Sequence, residues 1–226
     1  MEWGVLVLPG GAYRETSRRE GEPVEQAFRR AGFSARTLHY SVAPSRWPAA
    51  FLESARAVEN LRAEGCRRVA VCGFSAGGHL AGCLANLWGH PVLEENGLES
   101  ARVRPDAAIL AYPVISSGPF GHRTSFRNLL GGAVIPPELS LERSVTPENP
   151  PTFLWATLTD GTVPAENTLL YAQALRRAGI PFELHLYPHG PHAMALADGQ
   201  TLGRPDQQDP HVAGWFAQCL EWLRAL

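Results

Sequence analysis

The clearest structural signal in this chain lies in Val69-Ala70-Val71-Cys72-Gly73-Phe74-Ser75-Ala76-Gly77-Gly78-His79-Leu80-Ala81. Its apolar, β-branched start is typical of a strand that is covered on both faces. Ser75 then occupies the centre of a Gly-x-Ser-x-Gly pattern, and the residues from Ala76 to Trp88 predict a helix rich in alanine and leucine. Glycine is needed beside the serine because so tight a turn leaves no room for side chains. The pattern predicts a serine hydroxyl at the end of a strand, facing the positive end of a helix dipole.

The composition is that of an ordinary globular protein. The chain has 226 residues, a hydrophobic share of 45% and a formal net charge of −2, which predicts one domain over residues 1–226. The near-neutral charge argues against a nucleic-acid partner, and no apolar run is long enough to predict a membrane partner. All 20 basic residues are arginine, so a lysine Schiff base and a Ser–Lys dyad are excluded.

The cysteines and histidines give no sign of a metal site. The four cysteines, Cys66, Cys72, Cys83 and Cys219, have neither C-x-x-C nor zinc-ligand spacing. They are predicted to be reduced, buried thiols of a cytoplasmic protein, and no signal peptide is recognised. The eight histidines form no H-E-x-x-H pattern, so no metal is expected. The chain also has no G-x-G-x-x-G or G-x-x-x-x-G-K pattern, and no cofactor is expected.

Predicted strands and helices alternate along the chain. The strands cover 3–8, 33–40, 69–72, 107–112, 152–157 and 182–187, and the helices cover 22–31, 47–64, 76–88, 165–178 and 212–226. Val92–Pro105 is predicted to be irregular. Ser116–Pro147 is predicted to be a small cap-like excursion over the sheet, with a helix near Ser125–Leu130. This order predicts a doubly wound, mostly parallel α/β sheet, whose site lies beyond the carboxyl ends of the strands.

Candidate partners for Ser75 follow two of these strands. A serine hydroxyl is a poor nucleophile until a base takes its proton, and that base is usually a histidine oriented by a carboxylate. Asp160 follows one strand and His192 follows the next. The order serine, acid, histidine is the one found in folds with this type of serine turn. We therefore predict that Ser75, Asp160 and His192 are the nucleophile, the acid and the base.

Other residues of the same types are weaker candidates. His189 precedes His192 by three residues, but the sequence Gly190-Pro191-His192 favours His192 as the base. His79 is predicted to be a helix residue packed beneath the site. The remaining carboxylates near the last strand are predicted to be structural or solvated: Glu183, Asp198 and Asp206.

The loop after the first strand, Pro9-Gly10-Gly11-Ala12-Tyr13, carries a glycine pair. Such a pair forms either a plain turn or a cradle in which backbone N–H groups point at an anion. Attack on an ester creates an oxyanion that needs hydrogen-bond donors. We predict an oxyanion hole formed by the amides of Gly11, Ala12 and Ala76, with Gly10 making the turn.

Motifs along nearly the whole chain resemble those of bacterial acetyl esterases of the α/β-hydrolase superfamily. These esterases and lipases are related to hormone-sensitive lipase, and some are known as acetylxylan esterases. The segments that carry the resemblance are Pro9–Tyr13, Arg19–Val24, Gly73–Ala81, Tyr112–Ile115, Pro150–Phe153, Asp160–Asn167 and Gly190–His192. The resemblance implies the Ser75–Asp160–His192 triad and an oxyanion loop at residues 10–12. It also implies a serine carboxylesterase, with a carbohydrate as one candidate alcohol. We expect short-chain acyl esters, acetyl esters among them, because the small excursion Ser116–Pro147 offers little apolar groove for a long chain.

The chain departs from the family pattern at three places. Ala12 stands where a third glycine is common, and a backbone donor survives that change. Ala193 follows His192 where glycine is common, and it is expected to crowd the loop that carries His192, called the base loop below. The two strands that usually precede the oxyanion strand are missing, so we expect about six strands with residues 33–40 at the edge. A second copy of the chain could cover that edge, which makes a homodimer a hypothesis.

Two rival functions stay open at this point. The same triad would serve an arylformamidase or a peptidase, because only the pocket would differ. A hydrolase fold that has lost its activity and only binds a ligand is the alternative from another class. Such proteins usually lose one member of the triad, whereas all three residues are present in this chain.

Overall fold

A computed structural model describes residues 2–226 and contains a six-stranded sheet. The strands are β1 (Trp3–Leu8), β2 (Ser34–Thr37), β3 (Arg68–Phe74), β4 (Ala107–Ala111), β5 (Thr152–Thr157) and β6 (Phe182–Tyr187). The helices are α1 (Glu22–Arg30), α2 (Ala49–Ala63), α3 (Ala76–Leu87), α4 (Pro91–Glu95), α5 (Ser100–Val103), α6 (Arg123–Leu130), α7 (Glu166–Ala178) and α8 (Pro210–Ala225). None of the helices in this range is both long and apolar enough to cross a membrane.

The sheet has the order β2-β1-β3-β4-β5-β6, and every neighbouring pair is parallel. The predicted parallel α/β architecture of six strands is therefore confirmed. The chain runs from β1 outward to β2 and then returns to β3 on the other side of β1. A crevice forms at such a switch point, beyond the carboxyl ends of the strands. Leu8 at the end of β1 pairs with Gly73 of β3, so the loops that follow these strands begin side by side.

Alternating side chains of the strands enter two separate apolar cores. Val5 and Val7 of β1 lie in the core that contains residues of α1 and α8, whereas Leu6 and Leu8 lie in the core that contains residues of α2, α3 and α7. Helices thus cover both faces of the sheet, as the prediction of a doubly wound sheet requires. Burying one valine or leucine side chain contributes roughly 1.5–3 kcal/mol. A slip of one residue would exchange the two sets of side chains, so this alternation holds the register that aligns the loops.

Several predicted boundaries were wrong. Residues 92–105 are not irregular throughout, because they contain most of α4 and all of α5. These helices have five and four residues, too few to display a helical period in the sequence. The predicted edge strand over 33–40 is shorter, since β2 ends at Thr37. Beyond it Tyr40 turns inward, and its hydroxyl donates to the Pro9 carbonyl at 2.6 Å.

The excursion over residues 116–147 contains α6 and two short 3₁₀ turns. The Asn128 side-chain amide donates to the Ala12 carbonyl at 2.8 Å, and the Leu129 carbonyl accepts from the Trp47 amide at 2.9 Å. Helix α6 therefore lies against the loop that follows β1, as a cap over the edge of the sheet would.

Candidate active site

Ser75 lies at the sharp turn between β3 and α3. Its backbone has φ 54° and ψ −115°, a region that residues other than glycine rarely adopt. Two glycines permit the turn. A Cβ atom on Gly73 would lie 2.1 Å from the Gly77 carbonyl oxygen, and one on Gly77 would lie 2.0 Å from the Leu8 carbonyl oxygen. The turn is also anchored to β4, because the Ser75 amide donates to the Ala111 carbonyl at 3.0 Å.

The structure brings the predicted nucleophile, base and acid into one chain of hydrogen bonds. Ser75 Oγ lies 2.8 Å from His192 Nε2, and His192 Nδ1 lies 2.6 Å from Asp160 Oδ2. The Asp160 side chain is fully buried, and its Oδ1 accepts from the amides of Thr162 and Val163 at 2.8 and 2.9 Å. These amides fix the carboxylate, which in turn accepts from Nδ1–H and leaves Nε2 to accept from the serine hydroxyl.

The loop after β6 holds His192 through its backbone. Gln207 Nε2 donates to the carbonyls of His192 and Ala193 at 3.1 and 3.0 Å. The ring of Tyr112 packs edge-on against the imidazole, with 5.1 Å between ring centroids. Ala193 has φ 64°, a left-handed conformation that costs an alanine about 1 kcal/mol. The alanine that replaces the family's usual glycine therefore adds backbone strain to the base loop.

The weaker candidates lie elsewhere or pair with other groups. His189 is exposed, and His192 rather than His189 contacts Asp160. The three other carboxylates bond to residues that are close in sequence: Glu183 to His185, Asp198 to Thr201, and Asp206 to Arg204.

His79 is a buried structural residue of α3, as predicted. Its Nδ1 accepts from the Tyr13 hydroxyl at 2.8 Å, and its Nε2 donates to the Leu139 carbonyl at 2.9 Å. Burial lowers the pKa of this imidazole to about 4. The neutral ring links the loop after β1 to the excursion over residues 116–147.

The three residues predicted as oxyanion donors, Gly11, Ala12 and Ala76, lie close to Ser75. Within residues 2–226, no acceptor pairs with the amide N–H of Gly11, Ala12 or Ala76. Gly11 has φ +132°, and a Cβ atom there would lie 2.1 Å from the Glu15 carbonyl oxygen, so only glycine fits. Gly11, Ala12 and Ser75 line the same cavity, and Ala76 begins α3. The three residues therefore lie beside Ser75, and within residues 2–226 their N–H groups are not used by other protein acceptors.

The cavity above Ser75 has a volume of about 270 Å³. The wall includes Arg14, Glu15, Ser17, Arg19, His122 and Thr162. His122 is half-buried, with Nδ1 lying 2.8 Å from Ser125 Oγ. Burial, followed by the nearby His192, lowers the pKa of this histidine. A second cavity of about 480 Å³ adjoins the first and shares Arg19, Thr162, His192 and Ala193 with it. Residues 2–226 contain no group of three or more His, Cys, Asp or Glu side chains that could hold a metal ion.

Sequence reasoning assigned no role to four residues that surround the site: Arg19, Glu20, Tyr112 and His122. Glu20 is buried behind the loop that follows β1, and an acidic residue just before a predicted helix gives no hint of that burial. His122 comes from the excursion, whose sequence has no period. Residues 19 and 20 open the Arg19–Val24 segment that carries the family resemblance, and that resemblance was the signal that could have drawn attention to them.

Two family models match this chain. A model described as the alpha/beta hydrolase fold matches residues 9–128, and a model of the prolyl oligopeptidase family matches residues 138–222. The first range contains Ser75 and the loop after β1, and the second contains Asp160 and His192.

Similar proteins include two curated relatives. Endo-1,4-beta-xylanase B of Butyrivibrio fibrisolvens is 36% identical over 213 residues, which cover 87% of this chain. An acetylxylan esterase of Xylanibacter ruminicola is 31% identical over 156 residues, which cover 66% of this chain. The matches span only 33% and 30% of these relatives, so the chain corresponds to about a third of their length.

A solved structure resembles the chain over its full length. The acetyl ester-xyloside bifunctional hydrolase from Caldicellulosiruptor lactoaceticus is 37% identical and superposes with a TM-score of 0.88. The alignment covers 100% of this chain and 83% of that protein.

Proposed function

Because this chain belongs to the α/β-hydrolase fold family, we propose that it is a serine esterase whose nucleophile is Ser75. One observation carries the proposal: the unbroken hydrogen-bonded chain from Ser75 Oγ through His192 to the buried Asp160 carboxylate. A hydroxyl, an imidazole and a carboxylate in this order activate the hydroxyl for attack on an acyl group.

The reaction steps follow from the proposed protonation of His192, which carries its proton on Nδ1 and accepts at Nε2. As Ser75 Oγ attacks the ester carbonyl carbon, His192 Nε2 takes the hydroxyl proton, and Asp160 stabilises the resulting imidazolium. The carbonyl oxygen becomes an oxyanion, which the amides of Gly11, Ala12 and Ala76 stabilise. The bond to the alcohol oxygen then breaks, and Nε2 returns the proton to the leaving alcohol. Water attacks the acyl-enzyme by the same steps in the deacylation half, which releases the acid and regenerates Ser75.

We propose a short acyl group, with acetyl as the preferred one, on a polar alcohol. A cavity of about 270 Å³ offers little room for a long chain, and polar or charged residues such as Arg14, Glu15 and Ser17 line it. The adjoining cavity of about 480 Å³ could hold the alcohol, and Arg19 and Thr162 border both spaces. The names of two similar proteins, an acetylxylan esterase and an acetyl ester-xyloside hydrolase, support an acetylated carbohydrate as the substrate.

Hydrolysis of p-nitrophenyl esters with acyl chains of two to eight carbons tests this proposal. We expect kcat/KM to fall steeply after the shortest chains, and acetylated xylooligosaccharide to release acetate. Ser75→Ala should lower kcat by about three or more orders of magnitude. Ser100→Ala, in α5 before β4, is the matched control and should keep the wild-type kcat.

Undiminished activity in Ser75→Ala would contradict the mechanism. If neither the wild type nor the variant hydrolyses any ester or amide, the chain is an inactive hydrolase fold that binds a ligand.

A peptidase is the second candidate, because the segment with Asp160 and His192 matches the prolyl oligopeptidase family. Peptidyl p-nitroanilides assay this activity, and N-formylkynurenine assays an arylformamidase. The esterase proposal expects kcat/KM on p-nitrophenyl acetate to exceed both, and the reverse order would favour the amide-cleaving alternative.

A further inference from the structure

We propose that Glu20 is a positioning residue that holds the oxyanion loop and the base loop in their catalytic geometry. The inference rests on the proposed esterase function and adds to it a residue that acts through the loops to which it bonds. Glu20 ends the short 3₁₀ turn Arg18–Glu20, between the loop after β1 and helix α1. It is 1% exposed, and a carboxylate so deeply buried requires hydrogen-bond partners to offset its lost hydration.

The first partner of Glu20 is the oxyanion loop. The Gly10 amide donates to Glu20 Oε2 at 2.9 Å. Gly10 is confined on both sides, since a Cβ atom there would lie 2.8 Å from Glu20 Oε2 and 2.9 Å from the Phe74 carbonyl oxygen. The loop is therefore held between the carboxylate and the turn that carries Ser75. Gly11 and Ala12, the proposed oxyanion donors, follow directly.

The second partner of Glu20 is Tyr112, which leads to the base. The Tyr112 hydroxyl donates to Glu20 Oε1 at 2.7 Å and accepts from the Ala195 amide at 2.9 Å. Its ring packs against His192. Burial raises the pKa of Tyr112 well above its ordinary value, so the hydroxyl remains a donor over the working pH range. One carboxylate thus joins the oxyanion side of the site to the base side.

Arg19, the preceding residue, reaches the same base loop. Its guanidinium donates to the carbonyls of Ala193 and Thr201 at 3.2 and 2.7 Å. In the turn Arg18–Glu20, the Glu20 side chain therefore bonds to the oxyanion loop and the neighbouring Arg19 side chain bonds to the base loop. Hydrogen bonds to a charged group are stronger than neutral ones, so the turn Arg18–Glu20 fixes the two loops more strongly than packing alone would.

Glu20→Gln replaces one of the two accepting carboxylate oxygens by an NH₂ group, with little change in side-chain volume. The glutamine side chain has only one accepting oxygen, so either the Gly10 N–H or the Tyr112 O–H loses its acceptor. Because displaced oxyanion donors act on the transition state rather than on the bound substrate, we expect kcat to fall about 10- to 100-fold while KM stays within about twofold.

The experiment compares Glu20→Gln with Asp106→Asn in the full chain. Asp106 Oδ2 accepts from the Val69 amide at 2.7 Å, so it also bonds a backbone N–H, but at the opposite end of β3. The readouts are kcat and KM for p-nitrophenyl acetate, the inhibition constant of a trifluoromethyl ketone, and the melting temperature. The ketone forms an oxyanion adduct with an activated serine. We expect its inhibition constant to rise by about the factor by which kcat/KM falls in Glu20→Gln, and to stay at the wild-type value in Asp106→Asn.

A wild-type kcat in Glu20→Gln would overturn the proposal, as would a lower melting temperature without any change in the inhibition constant. If Glu20→Gln does not fold, Tyr112→Phe serves as the second variant, because it deletes only the hydroxyl. Tyr112→Phe should lower kcat and raise the inhibition constant in parallel, and wild-type values would again overturn the proposal. Failure of the esterase function itself would be recognised separately, by activity that survives in Ser75→Ala.

Discussion

Ser75 depends on different neighbours for its backbone and for its hydroxyl. Gly73 and Gly77 leave the space in which its strained backbone fits. His192 Nε2, 117 positions away along the chain, lies 2.8 Å from its hydroxyl. Local sequence thus produces the turn that carries the hydroxyl, whereas the activation that we propose requires a residue from the far end of the sheet.

The lowered pKa of the buried His79 allows us to predict how the stability of the protein changes at acidic pH. Its folded-state pKa of about 4 lies below the ordinary 6.5, so the unfolded chain takes up a proton first as the pH falls. Stability from this residue is therefore fully present above pH 6.5 and is lost as the pH falls towards 4. The shift corresponds to a loss on the order of 3 kcal/mol.

Urea unfolding of wild type and His79→Gln at neutral and acidic pH measures this loss. We expect the wild type to lose more unfolding free energy than His79→Gln as the pH falls. His189→Gln, which removes an exposed imidazole, is the control and should follow the wild type. Equal losses in wild type and His79→Gln would show that another group is responsible.

At the scale of the elements, we expect replacement of a glycine by alanine to have opposite effects in α3 and in α8. Gly77→Ala in α3 would place a Cβ atom 2.0 Å from the Leu8 carbonyl oxygen. This oxygen belongs to the backbone of β1 and cannot move without displacing the strand. We expect Gly77→Ala to destabilise the fold by about 2 kcal/mol or more and to lower activity. Gly214→Ala in α8 meets no atom within 4 Å and should stabilise the helix by about 0.5–1 kcal/mol.

Thermal unfolding of both variants tests this contrast, with ester hydrolysis as the second measurement. A melting temperature of Gly77→Ala at or above the wild type would mean that the turn tolerates a side chain, contrary to the packing argument.

The predicted elements differ in how well their bounds were recovered. The strands Trp3–Leu8, Thr152–Thr157 and Phe182–Tyr187 match their predictions. The first two are short runs of mostly apolar residues, and the third alternates apolar residues with Glu183 and His185. Helices α4 and α5 were missed because each is close to a single turn, and such short helices depend on caps rather than on a period. His90 supplies such a cap, since its side chain accepts from the Val92 amide.

At the scale of the molecule, the homodimer stays a hypothesis. Strand β2 lies at the edge of the sheet, has four residues and carries Arg36, which bonds Glu64 at 2.8 Å. Short, charged edges discourage pairing with a second chain. The hypothesis predicts a light-scattering mass of twice 24.6 kDa at micromolar concentration. A mass equal to one chain would remove it.

Residues 69–81, the alternation of apolar runs, and the positions of Asp160 and His192 after two predicted strands were sufficient to predict the parallel α/β fold and the candidate triad. These signals are local, because the bend of a chain and the burial of a strand depend on residues within one or two turns of each other. The positions of Glu20, Tyr112 and His122 around the cleft could not be predicted in this way. Glu20 and Tyr112 are 92 positions apart and meet because β1 and β4 flank β3 in the sheet. Contacts of this kind depend on the order of the strands and on the paths of the loops, which exist only once the chain has folded.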